Sequence, residues 1–238
     1  MKKVINDLFD YNNRKIYQYN DTFKFSLDSI LLSEFVDINN KKNTIVDLCT
    51  GLGPIPLVLS TKTNNKIYGI EIQKEIAALA KETVKYNKLN NQIEIIYDDI
   101  KNINNYFSKK SIDIITCNPP FFKVEKNSIV NECEIEKNSR HEFLIDIESI
   151  FEISSSILKD NGVLYLVHRP ERIDDIIILA AKYNINVKKI VYIATNNDYD
   201  LKTILVKCVK NSKKGVKTSV TNIHHLSTYK DIFKGDRK

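Results

Sequence analysis

The sequence predicts a doubly wound α/β fold, with a seven-stranded, mostly parallel sheet and a short N-terminal extension. Three observations carry this expectation. From Thr44 to Val209, short β-branched apolar runs alternate with stretches whose apolar residues recur at helical spacing. Several of the strands end in glycines or acids, the sequence mark of ligand-facing strand ends. The last two strands follow one another with no helix between them, so one of them must run against the rest.

Taken in order, Thr44–Thr50 reads as the first core strand and Pro54–Thr61 as a short helix opened by proline. Ile67–Ile72 is the next strand. Gln73–Asn90 follows as a helix, with Ile76, Leu79, Ala80 and Val84 on one face. Ile93–Tyr97 and Ile112–Cys117 are further strands. Phe143–Lys159 has helical periodicity and is stopped by Asp160-Asn161-Gly162. Val163–His168 is the fifth strand, Pro170–Tyr183 a helix, and Val187–Ala194 and Thr203–Val209 the closing pair. Before the core, Phe23–Val36 reads as a short helix with Ser26 at its N-cap. The expected division is an extension over residues 1–43 that packs on the core, a catalytic domain over 44–210 and a basic segment over 211–238.

A chain of 238 residues with 42% hydrophobic content can bury one substantial core. No run approaches the roughly 20 apolar residues of a membrane span, and Met1–Asp7 turns polar too early for a secretory leader. Cys49, Cys117, Cys133 and Cys208 show no CxxC spacing, which points to free thiols in a cytoplasmic protein rather than disulfides or zinc. No metal is expected. The net charge is +6, and residues 202–238 hold ten Lys or Arg against two acids, as expected of a segment that meets a polyanion. A lysine-rich composition throughout explains the same excess equally well.

The segment richest in chemistry is Asn118-Pro119-Pro120-Phe121, directly after the strand Ile112–Cys117. Pro119 holds Asn118 extended, and neither proline has an N–H to spend on a ladder. The Asn118 side-chain oxygen and the Pro119 carbonyl can then converge as paired acceptors on a planar –NH2 group, with Phe121 stacked on the ring that carries it. That suits methyl transfer to an exocyclic amine. The other reading is a plain strand-terminating turn. The polar loop over residues 122–142 lies on the same side of the sheet and reads as a substrate lid.

The first strand runs into Cys49-Thr50-Gly51-Leu52-Gly53, a turn whose glycines let backbone approach a ligand. Glu71 ends the second strand 24 positions after Asp47, near the offset at which an acid accepts from ribose hydroxyls. Asp98-Asp99 ends the third, where a carboxylate can accept from an adenine amino group. So many acids favour an adenosine ligand without phosphates, S-adenosylmethionine rather than NAD. Each acid taken singly is equally well explained as a helix cap.

On these residues the chain resembles the class I S-adenosylmethionine-dependent methyltransferases of the Asn-Pro-Pro-aromatic group. More narrowly, it is similar to the bacterial family that modifies N6 of the adenine just 3′ of the anticodon, position 37, in a valine tRNA. The likeness takes in Phe23–Leu32, Asp47–Leu57, Asn118–Phe121, Arg140-His141-Glu142 and His168–Arg172. It implies that Asp47, Gly51 and Gly53 cradle the methionine moiety, with Thr50 and Asn118 beside them. Glu71 would hold the ribose, Asp99 the adenine, and Asn118, Pro119, Pro120 and Phe121 the target base. The partner implied is a tRNA anticodon loop, with no obligate protein partner. Candidate RNA contacts are Arg140, His141, Arg169, Arg172, Lys210, Lys213 and Lys214, although Arg169 and Arg172 could instead pair with Glu171 and Asp174. The family usually has glycine where this chain has Cys49.

Relatives that share the Asn-Pro-Pro-aromatic motif leave rivals: ribosomal RNA guanine-N2 methylation, protein glutamine methylation and DNA adenine methylation. A glutamine enzyme would carry an N-terminal helical domain that about 43 residues cannot hold, and a guanine enzyme tends to be longer. A DNA enzyme would need a target-recognition domain. From a different class, an RNA-binding module without activity would keep the fold alone.

Overall fold

The computed structural model of the protein describes residues 2–8, 11, 13–20, 25–38, 43–120, 146–194 and 201–223. The β-branched runs form strands β3 (Ile45–Leu48), β4 (Ile67–Glu71), β5 (Ile93–Tyr97), β6 (Ile112–Cys117), β7 (Leu158–His168), β8 (Ile185–Ala194) and β9 (Leu201–Lys210). An eighth, β10 (Lys217–Asn222), joins the same sheet in the order β10-β8-β9-β7-β6-β3-β4-β5. Every neighbouring pair is parallel except the two made by β9, so the last strand of the expected closing pair is the reversed one. The seven expected strands thus gain an edge strand from the segment read as a basic tail. Its polar, exposed sequence gave no alternation to detect, since β10 hydrogen-bonds on the sheet edge without burying a face.

Helices α1 (Leu27–Phe35), α2 (Pro54–Leu59) and α3 (Lys74–Tyr86) share one core with one face of the sheet; α4 (Ile147–Ile157) and α5 (Ile173–Lys182) share the other. Alternation along the strands feeds both cores: Tyr165 and Val167 face the first, Leu164 and Leu166 the second. The helix expected to run to Lys159 stops at Ile157. Leu158 is already extended, and β7 begins there, its pairing with β6 shifting register across Asp160-Asn161-Gly162. Lys210 accounts for part of this ending: its ammonium is buried and donates to the carbonyl oxygens of Ser155 and Leu158, the orphan acceptors at the end of α4.

The N-terminal region holds an element the sequence did not suggest, an antiparallel hairpin of β1 (Lys3–Asp7) and β2 (Lys15–Tyr19). It docks on α3 through backbone groups: Lys15 N–H donates to Asn87 Oδ1 (3.0 Å), Asn87 Nδ2 donates to the Lys15 carbonyl (2.7 Å), and Tyr17 N–H donates to Thr83 Oγ1 (3.0 Å). Tertiary acceptors rather than strand propensity stabilise this hairpin.

Helix α1 is anchored by a buried charge. Glu34, 3% exposed, accepts from the Tyr11 hydroxyl (2.8 Å) and pairs with Lys62 just beyond α2 (2.8 Å). Lys62 also donates to the Ser33 carbonyl at 2.7 Å. Among the described residues, no helix is long and apolar enough to cross a membrane. Removing one partner of such a buried pair is costly, so Lys62→Met is expected to lower unfolding free energy by about 3 kcal/mol. In urea titrations, Glu34→Gln added to Lys62→Met recovers most of that loss.

Candidate functional site

In the sheet order, β3 and β6 are neighbours from which the chain winds in opposite directions, so a crevice opens at their carboxyl ends. The turn after β3 and the Asn118–Pro120 segment after β6 both lie there. The turn needs three left-handed backbones: Cys49 (φ 58°), Gly51 (φ 56°) and Gly53 (φ 84°). Glycine adopts these at no steric cost, whereas a side chain at Cys49 is strained. A Cβ built on Gly51 would meet nothing within 4 Å, so the Gly51 backbone faces open space where a ligand can lie against it.

Asp47 holds this turn from below. It is fully buried; its Oδ2 accepts from Thr50 Oγ1 (2.7 Å) and its Oδ1 from Thr116 Oγ1 (2.6 Å). Both oxygens are engaged inside the protein, so Asp47 supports the turn from within, and the hydroxyl of Thr50 points down to Asp47. Burial pushes the Asp47 carboxyl up to about 7, more than the two hydroxyls draw it down. Thr116, which sequence reasoning passed over, ties β6 to β3 at this point. Its only sequence signal is a hydroxyl in the mostly apolar strand Ile112–Cys117. Gly69 leaves room for Thr50: a Cβ there would stand 2.7 Å from Thr50 Oγ1.

At the end of β4, Glu71 Oε2 accepts from the Gly51 N–H (2.8 Å) and Oε1 from the Gln73 N–H (2.9 Å). Burial raises its pKa, and those N–H donors work against the rise. Past β5, Asp98 is consumed locally: its oxygens accept from the Asp99 N–H, Asn102 and the Tyr106 hydroxyl. The Tyr106 hydroxyl, followed by Asn102, lowers its pKa. Asp99 uses only Oδ1, capping the Lys101 N–H at 2.9 Å, so among the described residues Oδ2 is free to accept from a ligand.

At the end of β6, Asn118 is half-buried, Pro119 buried and Pro120 exposed. The Asn118 Nδ2 donates to Ser29 Oγ (2.9 Å) and Ser26 Oγ (3.3 Å), both at the start of α1. Behind it, Cys117 Sγ lies 3.9 Å from Cys49 Sγ. Phe121, the 122–142 loop, Arg140 and His141 lie outside the described residues. At the end of β7, burial and the neighbouring Arg172 and Arg169 push the His168 imidazole down to about 4, and its Nδ1 accepts from the Arg169 N–H (2.8 Å). Arg169 also donates to the Lys202 carbonyl (2.8 Å). Arg172 pairs with Asp175 (2.6 Å), not with Glu171 or Asp174.

The C-terminal lysines lie elsewhere. Because β9 runs against its neighbours, Lys210 and the following Lys213 and Lys214 lie at the amino ends of the parallel strands, across the sheet from Asn118. Lys210 is in addition buried as a helix cap. Charge count alone did not reveal that a reversed strand carries these residues away from the mouth. The Tyr68, Tyr106 and Phe107 rings, with Thr44, Glu94 and Ser111, line a cavity of about 350 Å³ near those same amino ends, also away from the mouth.

Known proteins resemble this chain. The family model described as "Methyltransferase small domain" matches residues 26–200. The chain belongs to that family. Two curated relatives are both named "tRNA1(Val) (adenine(37)-N6)-methyltransferase". One, from Cytophaga hutchinsonii, is 25% identical over 213 residues, covering 88% of this chain and 84% of its own. The other, from Bacteroides thetaiotaomicron, is 22% identical over 235 residues and 96% of each chain. Among solved structures, a predicted O-methyltransferase from Agrobacterium tumefaciens superposes with a TM-score of 0.65 at 17% identity, covering 84% of this chain and 89% of that one. A geranyl diphosphate C-methyltransferase from Streptomyces coelicolor, solved with S-adenosyl-L-homocysteine, gives 0.54 at 10% identity, covering 77% and 74%. These structures share the fold. As a member of the family, the chain is a methyltransferase.

Two outcomes follow for this methyltransferase. The folded Asp47 carboxyl titrates near 7 and the unfolded one near 4, so between these values the folded state alone holds the proton. Stability supplied by that proton is present at low pH and is lost as pH rises from about 4 to 7, by up to about 1.4 kcal/mol per unit. Asp47→Asn lacks this slope, so its stability relative to wild type improves between pH 5 and pH 8 in urea titrations. At Cys49, glycine relieves a left-handed strain of about 1–2 kcal/mol, whereas a β-branched residue aggravates it. Thermal melts should therefore place Cys49→Gly at or above wild type and Cys49→Val several degrees below.

Proposed function

We propose that the chain transfers a methyl group from S-adenosylmethionine to N6 of the adenine at position 37 in a valine tRNA anticodon loop. The observation that carries this reading is Asn118-Pro119-Pro120 at the β3/β6 crevice, beside the open backbone of Gly51. The shared name of relatives matching up to 96% of the chain supports the choice of substrate. The site's donors and acceptors suit the methyl donor: Gly51 and Gly53 give close backbone approach, and Glu71 and the free Asp99 oxygen accept from ribose and adenine. Asp47 and Thr50 keep the turn in shape. Bound S-adenosylmethionine supplies an electrophilic methyl on a positively charged sulfur.

The protein's part is to place the amine. Adenine N6 is a weak nucleophile because its lone pair is delocalised into the ring. The Asn118 oxygen and the Pro119 carbonyl accept its two hydrogens, which favours a pyramidal nitrogen and so stabilises the transition state more than the ground state. Holding nitrogen and methyl in line supplies much of the remaining acceleration, and the proton that the methylated nitrogen sheds passes to water. Among the described residues there is no group of three or more potential metal ligands, and this chemistry asks for none. On this reading Arg169 and Arg172, just past the end of β7, add positive charge for RNA phosphate beyond their contacts to the Lys202 carbonyl and Asp175. A tRNA substrate puts the reaction in the cytoplasm of a bacterium.

Purified protein with labelled S-adenosylmethionine and a valine tRNA transcript is expected to yield N6-methyladenosine at position 37. Asn118→Ala should lower kcat about 10²–10³-fold. Mass spectrometry of tRNA nucleosides from a deletion strain checks the product in the cell. A transcript left unmodified while the strain keeps its N6-methyladenosine overturns the assignment.

A further inference from the structure

A carboxamide at a strand end can turn by half a rotation and present either its oxygen or its NH2, and only the oxygen can accept from an amine. In this protein the NH2 is the end turned toward two serines at the start of α1. Asn118 Nδ2 donates to Ser29 Oγ at 2.9 Å and to Ser26 Oγ at 3.3 Å, so both amide hydrogens are drawn toward the helix. Among the described residues, Oδ1 has no hydrogen-bond partner. Ser26 stands at the N-cap of α1, where a serine ordinarily accepts from a backbone N–H of the first turn, yet its side chain makes no such bond. Its hydroxyl is turned to Asn118 instead. Ser29 is buried, only 5% exposed, which shields its bond to the amide from water.

The serines are themselves fixed to the sheet. Between them, Asp28 Oδ1 accepts from Thr203 Oγ1 on β9 (3.0 Å), and past the end of α1 the Asp37 N–H donates to the Tyr165 hydroxyl on β7 (3.2 Å). Helix α1 therefore sits over β7 and β9 in one place, and its serines meet the end of β6 at a set distance.

We infer that Ser29, assisted by Ser26, is a positioning residue for methyl transfer: it turns the Asn118 NH2 into the protein and leaves Oδ1 as the acceptor for the substrate amine. The inference rests on the amine-methylating function proposed above. It gives the N-terminal helix, which lies outside the sheet, a part in the chemistry.

Two measurements test it. The Asn118 side-chain amide signal in ¹⁵N spectra, assigned by its disappearance in Asn118→Asp, should exchange with water at least about tenfold more slowly than a free carboxamide. The Ser26→Ala/Ser29→Ala protein should lose that protection. In kinetics, Ser29→Ala should lower kcat about tenfold and leave the KM for S-adenosylmethionine within about twofold. In an Asn118→Ala background the same change should cost less than about twofold. Ser29→Thr, which keeps the hydroxyl, should restore most of the rate. If Ser29→Ala proves unstable in thermal melts, Ser26→Ala takes its place in the cycle.

An unprotected amide in the wild type, or equal losses in both backgrounds, overturns the inference. A protected, serine-dependent amide in a protein that methylates no valine tRNA overturns the proposed substrate instead, and leaves the role of Ser29 standing.

Discussion

The site depends on one buried carboxyl. Asp47 accepts from the turn that follows its own strand, through Thr50, and from the neighbouring strand, through Thr116. Ladder bonds between β3 and β6 set the spacing of the two strands, but they end where the strands end. The carboxyl extends that tie into the turn, so the Gly51 backbone and the Asn118 segment are held in one frame. Desolvating a carboxyl is expensive, and two hydroxyl donors offset only part of it, which is why the group stays protonated to near neutral pH. A site that must align two molecules benefits from walls that do not move independently.

A second layer of constraint comes from outside the sheet. Helix α1 is tied to the hairpin side by Tyr11 and Glu34, to α2 by Lys62, and to β9 by Asp28. Its start then meets Asn118. The two edges of the crevice are thus supported differently: the donor side from below by Asp47 and Glu71, the acceptor side from above by Ser26 and Ser29. Cys49 and Cys117 stand back to back where the two supports meet, and Cys49 bears a left-handed backbone that most side chains avoid.

Much of the core was legible because its signals are local. Ile93–Tyr97 and Ile112–Cys117 coincide with β5 and β6 residue for residue, since a β-branched run between turn residues leaves few alternatives. Asp98 and Asp99 are adjacent acids of equal propensity, and only their hydrogen bonds separate a carboxylate consumed by Tyr106 and Asn102 from one with a free oxygen. Hairpin β1–β2 and strand β10 escaped notice because each is held by partners distant in sequence rather than by an apolar pattern of its own.

By itself, the sequence determined the alternation of strands and helices, the glycine-bearing turn, and an Asn-Pro-Pro segment that ends a strand. These follow from backbone sterics and hydrophobic period, which act over a few residues. Tertiary structure alone decided that Lys210 caps a helix, that Lys213 and Lys214 lie across the sheet from Asn118, and that Thr116, Ser26 and Ser29 belong to the site. Strand direction and long-range hydrogen bonds arise between residues far apart in the chain, where no local pattern records them.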